Sequence, residues 1–369
     1  MEREAKASGL DDVVAAETLL SDVDGALGRL VIRGYSVEDL VANYTFEDVA
    51  FLMWRGAMPS AGDRETLRTA LASARTSAFG MLPSLGGAID LPDAMECLRA
   101  SVGHLTATGD EATDRVRLTA AIPVFVSAWH RKRSGLAPVA PSPSLTHAAD
   151  YLQMLGGAAP QRDRVRGLDA YLCCVVDHGM NASTFSARVV ASTGSDEVSA
   201  IVAAIGALKG PLHGGAPGPV LDMLDAMGAP ERAAAWIESE IKAGRRIMGM
   251  GHRIYRVRDP RAFVLERAVT KLGEAGAAAG ARGSRLELAR SVERTAEQLL
   301  AARHPARSLR ANVEFYTAVL LDAVGLPPEL FSATFAVSRV AGWIAHFVEQ
   351  RTTGRLIRPA SHYIGAMPA

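Results

Sequence analysis

The chain has 369 residues, of which 49% are hydrophobic, so it is long enough for one large domain or two of ordinary size around a large buried core. Its 40 Lys and Arg residues balance 40 Asp and Glu residues, and this neutrality excludes the strongly charged character typical of proteins that bind nucleic acid or a membrane surface. The N-terminal segment MEREAKASGL is charged and has no apolar stretch, so we expect no secretory signal peptide.

The cysteines and the most apolar segment point to a cytoplasmic location. Cys97, Cys173 and Cys174 include an adjacent pair, which forms a disulfide badly, and no CxxC spacing, so we expect reduced thiols. The apolar stretch LFSATFAVSRVAGWIAHFVEQR carries Arg339 and His346 in its middle. It therefore predicts a buried helix rather than a membrane span.

Helical periodicity dominates the chain after a short β element. The stretch AAETLLSDVDGALGRLVIRG has two short runs around Asp-Gly and predicts a hairpin. TFEDVAFLMWRG predicts a helix that begins after Thr45 and ends at Gly56. Three further segments repeat the helical pattern: GPVLDMLDAMGAP (from about Pro219 to Met227), RAFVLERAVTKLGE and LELARSVERTAEQLLAAR. Residues 134–147 read as an exposed loop, and residues 273–285 as a loop or a frayed helix end.

The segment SDEVSAIVAAIGALKGP predicts a helix that leads into the most unusual stretch of the chain. Asp196 and its neighbours form a capped, acidic first turn, and Gly210-Pro211 ends the helix. His213 follows in KGPLHGGAP, between this helix and the next one. Because a helix N-terminus carries partial positive charge, it would keep the imidazole neutral, and a neutral imidazole can donate a hydrogen bond during enolisation.

Three of the nine histidines lie in glycine-containing, loop-like contexts: His178 in VVDHGMNAST, His213, and His252 in GMGHRIYRVRDPRA. Glycine beside a side chain lets a ligand approach. Each of the three alone could equally be fixed by hydrogen bonds in a turn, but three such contexts in one chain favour function. Their intervals give no HxxxH or HxH pair, so we expect no metal site. We interpret the others as surface or satisfied core residues: His104, His130, His147, His304, His346 and His362.

Arginines and one glutamate complete the candidate site. The segment HRIYRVRDPRA contains four arginines, two of which we expect to be simply solvated. Arg339 stands on an apolar helix, and burying it without an anion would be costly, so a bound carboxylate or an internal partner is expected. Glu314, in the apolar run ANVEFYTAV, is either a paired structural acid or a base.

Together these segments resemble the citrate synthase family, and the resemblance runs nearly from end to end. The N-terminal region and the motifs DHGMNASTFSARVVAST, GPLHGGAP, GMGHRIYRVRDPRA, NVEFYTAV and FAVSRVAGWIAHFVEQR with GRLIRP follow in the family's order. The resemblance implies an all-α, two-domain fold with a short N-terminal β-hairpin. The large domain would comprise residues 1–215 and 320–369, and a smaller mobile domain residues 216–319. It also implies a homodimer in which the partner chain completes each site.

The resemblance further implies the condensation of acetyl-CoA with oxaloacetate, with coenzyme A thioester as co-substrate and no metal or permanently bound cofactor. Glu314 would remove a proton from the thioester methyl group, while His213 hydrogen-bonds the thioester oxygen. His252 would polarise the ketone of oxaloacetate and protonate the new alkoxide. The remaining roles are binding roles: His178, Arg261 and Arg339 for carboxylates, Arg358 for the partner's site, and Arg256 with the turn containing Gly249 and Gly251 for coenzyme A.

One residue departs from the family's pattern, in which the base is aspartate. Glu314 has a longer arm, and since a misplacement of about 1 Å can cost about 10²-fold in rate, the change bears on rate and acyl preference. Two alternatives stay open: a 2-methylcitrate synthase that uses propionyl-CoA, and a catalytically weak or silent paralogue that binds carboxylates or coenzyme A. The substrate of the first alternative, propionyl-CoA, differs from acetyl-CoA by one methylene group, and a binding pocket distinguishes such a difference by only about 1–3 kcal/mol.

Overall fold

The structure is a computed structural model, and it describes residues 10, 13–213, 217–274, 281–305 and 307–368. Within these residues the chain is helical apart from one small sheet, as predicted. The helices are α1 (Val37–Asn43), α2 (Phe46–Arg55), α3 (Ala61–Gly80), α4 (Ala94–Val102), α5 (Glu111–Arg133), α6 (His147–Gly156), α7 (Arg162–Cys174), α8 (Ala182–Ser192), α9 (Glu197–Leu208), α10 (Pro217–Met227), α11 (Ala233–Lys242), α12 (Pro260–Glu274), α13 (Ala281–Arg303), α14 (Val313–Val324) and α15 (Phe331–Thr353). Short 3-10 turns occur at Leu82–Asp90, Pro230–Arg232 and Pro328–Leu330.

The predicted helix ends are confirmed where the sequence supplied a cap. Thr45 closes a capping box with Asp48 at the start of α2, and Gly56 ends that helix with a left-handed φ of 79°. Asp196 caps α9 through the backbone N–H of Ser199. The following helix begins at Pro217, two residues before the predicted Pro219, because proline is well suited to the first turn of a helix.

The predicted hairpin is confirmed. Strand β1 (Ser21–Asp24) pairs antiparallel with β2 (Arg29–Ile32), and Asp24 faces Arg29 across the turn. The Asp24 carboxylate accepts hydrogen bonds from the backbone N–H groups of Ala26 and Leu27, which fixes the turn. A third strand, β3 (Tyr35–Ser36), was not predicted; it has only two residues, too few to give a strand pattern.

Helix α15 lies at the centre of the core, which confirms its prediction as a buried helix. It packs against α2, α5, α8 and α9. Gly342 in its middle lies so close to the chain after α7 that a Cβ atom there would be 2.2 Å from the carbonyl oxygen of Val176. None of the described helices is both long and apolar enough to cross a membrane.

Helices α12 and α14 connect the two regions that the sequence assigns to different domains. They pack on each other, and both also pack on α7. The division into a large domain (1–215 and 320–369) and a small domain (216–319) stays a prediction.

Candidate active site

His178 lies in the short connection between α7 and α8. Its ring is buried, and its Nε2 atom is 3.2 Å from the hydroxyl oxygen of Tyr255. Gly179 follows with φ of +57°, a conformation that glycine adopts without strain, and Asn181 caps α8. Burial and the positive charge of Arg261 hold the pKa of His178 well below its ordinary value. The imidazole is therefore neutral.

His252 is held in one tautomer by the backbone that follows it. Its Nδ1 atom accepts hydrogen bonds from the N–H groups of Ile254 (3.0 Å) and Tyr255 (3.1 Å), so the ring proton lies on Nε2. Burial and Arg261 lower its pKa to about 4. The rings of His178 and His252 are 5.5 Å apart, and Tyr255 contacts both. His252 can thus donate a hydrogen bond from Nε2 to a ligand oxygen at neutral pH.

His213 is held in the opposite tautomer. Its Nε2 atom accepts a hydrogen bond from the backbone N–H of Ser183 (3.3 Å) and lies 2.8 Å from the Ser183 hydroxyl, so the ring proton lies on Nδ1. Burial and Arg339 lower its pKa to about 4.

The prediction of a neutral His213 is thus supported, but its cause differs from the one expected. Burial comes first, and the helix N-terminus that contacts the ring is that of α8 rather than that of the helix following in sequence. Folding brings the start of α8 beside His213, which spacing in the sequence does not reveal. Gly214 and Gly215, which we expected to leave room for a thioester, lie outside the described residues.

Arg261 is fully paired on one edge of its guanidinium. Its Nε and one terminal nitrogen donate to the two carboxylate oxygens of Asp259, at 3.0 and 2.7 Å. Asp259 also accepts from the N–H of Val313, at the start of α14. This carboxylate therefore joins the segment after His252 to the helix that carries Glu314. Of the four arginines in this segment, Arg253 and Arg256 are exposed.

Arg339 has a buried nitrogen without a partner. Its Nε donates to the carbonyl oxygen of Val175 at 2.7 Å, and its guanidinium lies 4.4 Å from the ring centre of Phe335. The side chain is buried, and Nη2 contacts no acceptor in the described part of the chain. Burial lowers its pKa to about 10, so it stays charged at neutral pH. An incoming carboxylate would satisfy this nitrogen.

Glu314, like Arg339, has a buried polar atom that lacks a hydrogen-bond partner in the described part of the chain. Oε2 has no hydrogen-bond partner among the described residues, and burial raises the pKa of the carboxyl to about 7 against the opposing charge of Arg261. Asn312 caps the helix through the N–H of Glu314 and bonds the backbone of Gly249 and Gly251, at 2.9 and 2.8 Å. A carboxyl that titrates near neutrality and lacks a structural partner is suited to act as a base.

A cavity of about 1060 Å³ opens beside His252 and is strongly basic. Arg256 and Gly251 line it, as expected for a coenzyme A site, whereas Gly249 packs instead against Phe315 of α14. Sequence reasoning missed the other basic residues of its wall: Arg245, Arg246, Arg253, Arg303, His304 and Arg307. The Arg-Arg pair just before IMGMG was a usable signal. The residues after α13 come from a distant part of the sequence, which no local pattern connects to this site.

Arg358 is not brought to the other site residues within this chain. It is exposed in the extended segment after α15, which is tied down by a hydrogen bond of 3.1 Å from the N–H of Ile357 to the hydroxyl of Ser192.

His346 is the satisfied core residue that we predicted: its ring accepts a hydrogen bond from Arg188 and is also hydrogen-bonded to Asp177. His147, also predicted as satisfied, leaves its buried Nε2 atom without a partner in the described chain. No group of three His, Cys, Asp or Glu in the described ranges could hold a metal ion.

Comparison with known proteins places this geometry in a family. The sequence model of the family described as "Citrate synthase, C-terminal domain" matches residues 9–360. The chain belongs to the citrate synthase family. It is 38% identical to a citrate synthase of Haloferax volcanii over 97% of this chain and 95% of that one. It is 36% identical to a 2-methylcitrate synthase of Mycobacterium tuberculosis over 97% of this chain and 90% of that one.

Solved citrate synthases share the fold. A citrate synthase from the archaeon Thermoplasma acidophilum, solved as a ternary complex with carboxymethyl coenzyme A and oxaloacetate, superimposes with a TM-score of 0.86. The match covers 97% of this chain and 96% of that one, at 26% identity. The all-α citrate synthase fold predicted from the motifs is thereby confirmed.

Proposed function

We propose that this protein is a citrate synthase that condenses acetyl-CoA with oxaloacetate to give citrate and free coenzyme A. One observation carries the proposal: His213 and His252 are neutral and lie in opposite tautomers, and the charges of Arg261 and Asp259 act on both His252 and Glu314, whose pKa of about 7 suits a base. The family membership of the chain supports it. The Haloferax volcanii relative, at 38% identity, is a citrate synthase.

Each group has one role in the reaction. Glu314 removes a proton from the methyl group of acetyl-CoA, and His213 donates from Nδ1 to the thioester oxygen as the enol forms. The enol carbon attacks the ketone carbon of oxaloacetate, while His252 donates from Nε2 to the ketone oxygen and protonates the alkoxide. Water then hydrolyses citryl-CoA. Both histidines act as neutral donors, which their low pKa values allow.

The binding roles follow the charges of the site. His178, Arg261 and Arg339 bind the carboxylates of oxaloacetate, and the unpartnered Nη2 of Arg339 supports this assignment. Arg256 and the basic cavity beside it bind the phosphates of coenzyme A, with Gly251 in one wall. Closure of the small domain over bound oxaloacetate excludes water from the site.

The assembly and location belong to the same proposal. We propose a homodimer in which Arg358 of each chain reaches the site of the other, and its exposure in the extended segment after α15 supports this. The three buried, unpaired cysteines support a cytoplasmic location. The chemistry uses only acid–base groups and the co-substrate coenzyme A thioester, so no resident cofactor is required.

One assay tests the function and separates its alternatives. Free thiol release is measured with acetyl-CoA and with propionyl-CoA, each with oxaloacetate at saturation. Faster release from acetyl-CoA is the expected result. Faster release from propionyl-CoA would assign a 2-methylcitrate synthase, and no release from either, with oxaloacetate still bound in calorimetry, would assign a silent binding protein.

A further inference from the structure

The N-terminal hairpin, defined here as residues 21–32, contacts both segments that carry the oxaloacetate-binding histidines. Strand β1 contacts the His178 segment through Ser21, and the turn contacts the His252 segment through Gly25. Neither residue touches a substrate in the proposed mechanism. Both contact the backbone immediately around a histidine that does.

Gly25 lies against the peptide that fixes the tautomer of His252. A Cβ atom at Gly25 would be 2.3 Å from the carbonyl oxygen of Ile254. That oxygen belongs to the same peptide unit as the N–H of Tyr255, which donates to Nδ1 of His252 at 3.1 Å. The carbonyl oxygen of Gly25 also accepts from the N–H of Arg256 at 2.8 Å. Only glycine lets this peptide stay in place.

Ser21 contacts the backbone segment around the other histidine, His178. Its hydroxyl donates to Asp177 at 2.5 Å and accepts from the N–H of Gly179 at 3.1 Å. These are the two residues that flank His178 in the chain. Asp177 is itself buried and bonded to His346, so Ser21 ties the His178 segment to the core.

We propose that the N-terminal hairpin is a positioning element of the active site, in which Gly25 holds the tautomer of His252 and Ser21 holds the backbone around His178. The proposal rests on the proposed function for its kinetic consequences, but its structural consequence at His252 does not require turnover. A Cβ at residue 25 needs a shift of about 1 Å to reach ordinary contact, and a misplacement of that size at a catalytic group costs about 10²-fold in rate.

The principal test replaces Gly25 by alanine. Gly25→Ala is expected to lower kcat about 10²-fold and to raise the pKa of His252, because one of the two N–H donors that disfavour its protonation is displaced. The pKa is measured by NMR on protein with isotopically labelled histidine, with His252→Gln used to assign the signal. This readout works even if the protein releases no thiol, so failure of the proposed function and failure of this inference are distinguishable.

Gly28→Ala is the matched control in the same turn. Gly28 has φ of +64°, and its Cβ would meet the side chain of Val257 at 2.6 Å, away from the peptide that bonds His252. The control is expected to lose stability at least as much as Gly25→Ala while keeping the pKa of His252. Equal loss of activity in both variants with an unchanged pKa would overturn the proposal, as would wild-type kinetics in Gly25→Ala.

Ser21→Ala keeps the inference testable if Gly25→Ala does not fold. Removing this hydroxyl is expected to raise KM for oxaloacetate about tenfold, consistent with loss of one hydrogen bond to a charged group, with kcat nearly unchanged. Ser60→Ala is the control, because that serine bonds only the exposed cap of α3. An unchanged KM in folded Ser21→Ala would contradict the role of the hairpin at His178.

Discussion

Replacing Arg339 by methionine separates the binding role of this residue from a structural one. The side chain is 1% exposed, and of its nitrogens Nη2 has no acceptor among the described residues. Methionine has a similar volume and no charge, so it removes the cation without leaving a large cavity. The expected result is a more stable free protein that binds oxaloacetate poorly.

The gain in stability follows from the pKa. Burial lowers the pKa of Arg339 well below its ordinary value, to about 10, and at about 1.4 kcal/mol per pKa unit the buried charge costs about 3 kcal/mol of the free energy of unfolding. Because the folded state disfavours the cation, this cost is fully present below pH 10 and is lost progressively as the pH rises above that value. With an unfolding entropy of about 2.1 cal/mol/K per residue, the melting temperature rises by about 4 °C.

The loss of binding is measured on the same samples. A hydrogen bond from a charged donor contributes about 1.5–3 kcal/mol, so the affinity for oxaloacetate should fall at least about 10- to 100-fold. Differential scanning calorimetry without ligand gives the melting temperature, and isothermal titration gives the affinity.

Arg75→Met is the matched control. Arg75 is also 1% exposed, but it is paired with Asp150 at 2.5 Å and donates to the carbonyl oxygen of Leu145. Its removal leaves Asp150 buried and uncompensated and should cost about 3–5 kcal/mol of stability. If Arg339→Met lowers the melting temperature as Arg75→Met does, Arg339 is a satisfied structural residue and the reasoning is refuted.

The other predictions concern the base, coenzyme A and the partner subunit. Because the pKa of Glu314 is about 7 and a base must be ionised, kcat/KM should fall about tenfold per pH unit below neutrality; a flat pH–rate profile from pH 5 to 7 would contradict this role. Glu314→Asp should lower turnover by about 10²-fold because the shorter arm misplaces the carboxylate, and unchanged turnover would show that the site is not built around glutamate. Arg256→Gln should raise KM for acetyl-CoA about 10- to 100-fold with little change in kcat, and an unchanged KM would place the phosphates elsewhere. Arg358→Gln and His252→Gln should each be inactive alone, but subunit exchange should restore about a quarter of the activity if sites are shared, whereas no recovery would place Arg358 outside the partner's site.

The local signals in the sequence predicted the elements well. Thr45 and Gly56 mark the two ends of α2, and the Asp-Gly pair marks the hairpin turn, because caps and turns depend on residues only a few positions apart. The order of the motifs predicted the family. Arg339 was singled out because a cation on an apolar helix needs an anion, and the structure leaves its Nη2 atom open to one.

The residues that surround the candidate site could not be obtained in this way. Ser183 sets the tautomer of His213 from 30 residues away, and Asp259 joins Arg261 to the start of α14 across 54 residues. Tyr255, though inside a recognised motif, was not assigned a role, because its contact with both His178 and His252 depends on the packing of two separate segments.

The sequence by itself determined the helical class, the boundaries of the main helices, the family and the identities of the candidate acid–base and carboxylate-binding groups. Only the tertiary structure decided which nitrogen of each histidine carries the proton, that Glu314 titrates near neutrality, and that the hairpin contacts both histidine segments. The physical reason is the separation along the chain over which each kind of interaction acts. Caps, turns and amphipathic periodicity act between neighbours in the chain, whereas tautomers and pKa values depend on burial and on partners that folding brings from distant positions.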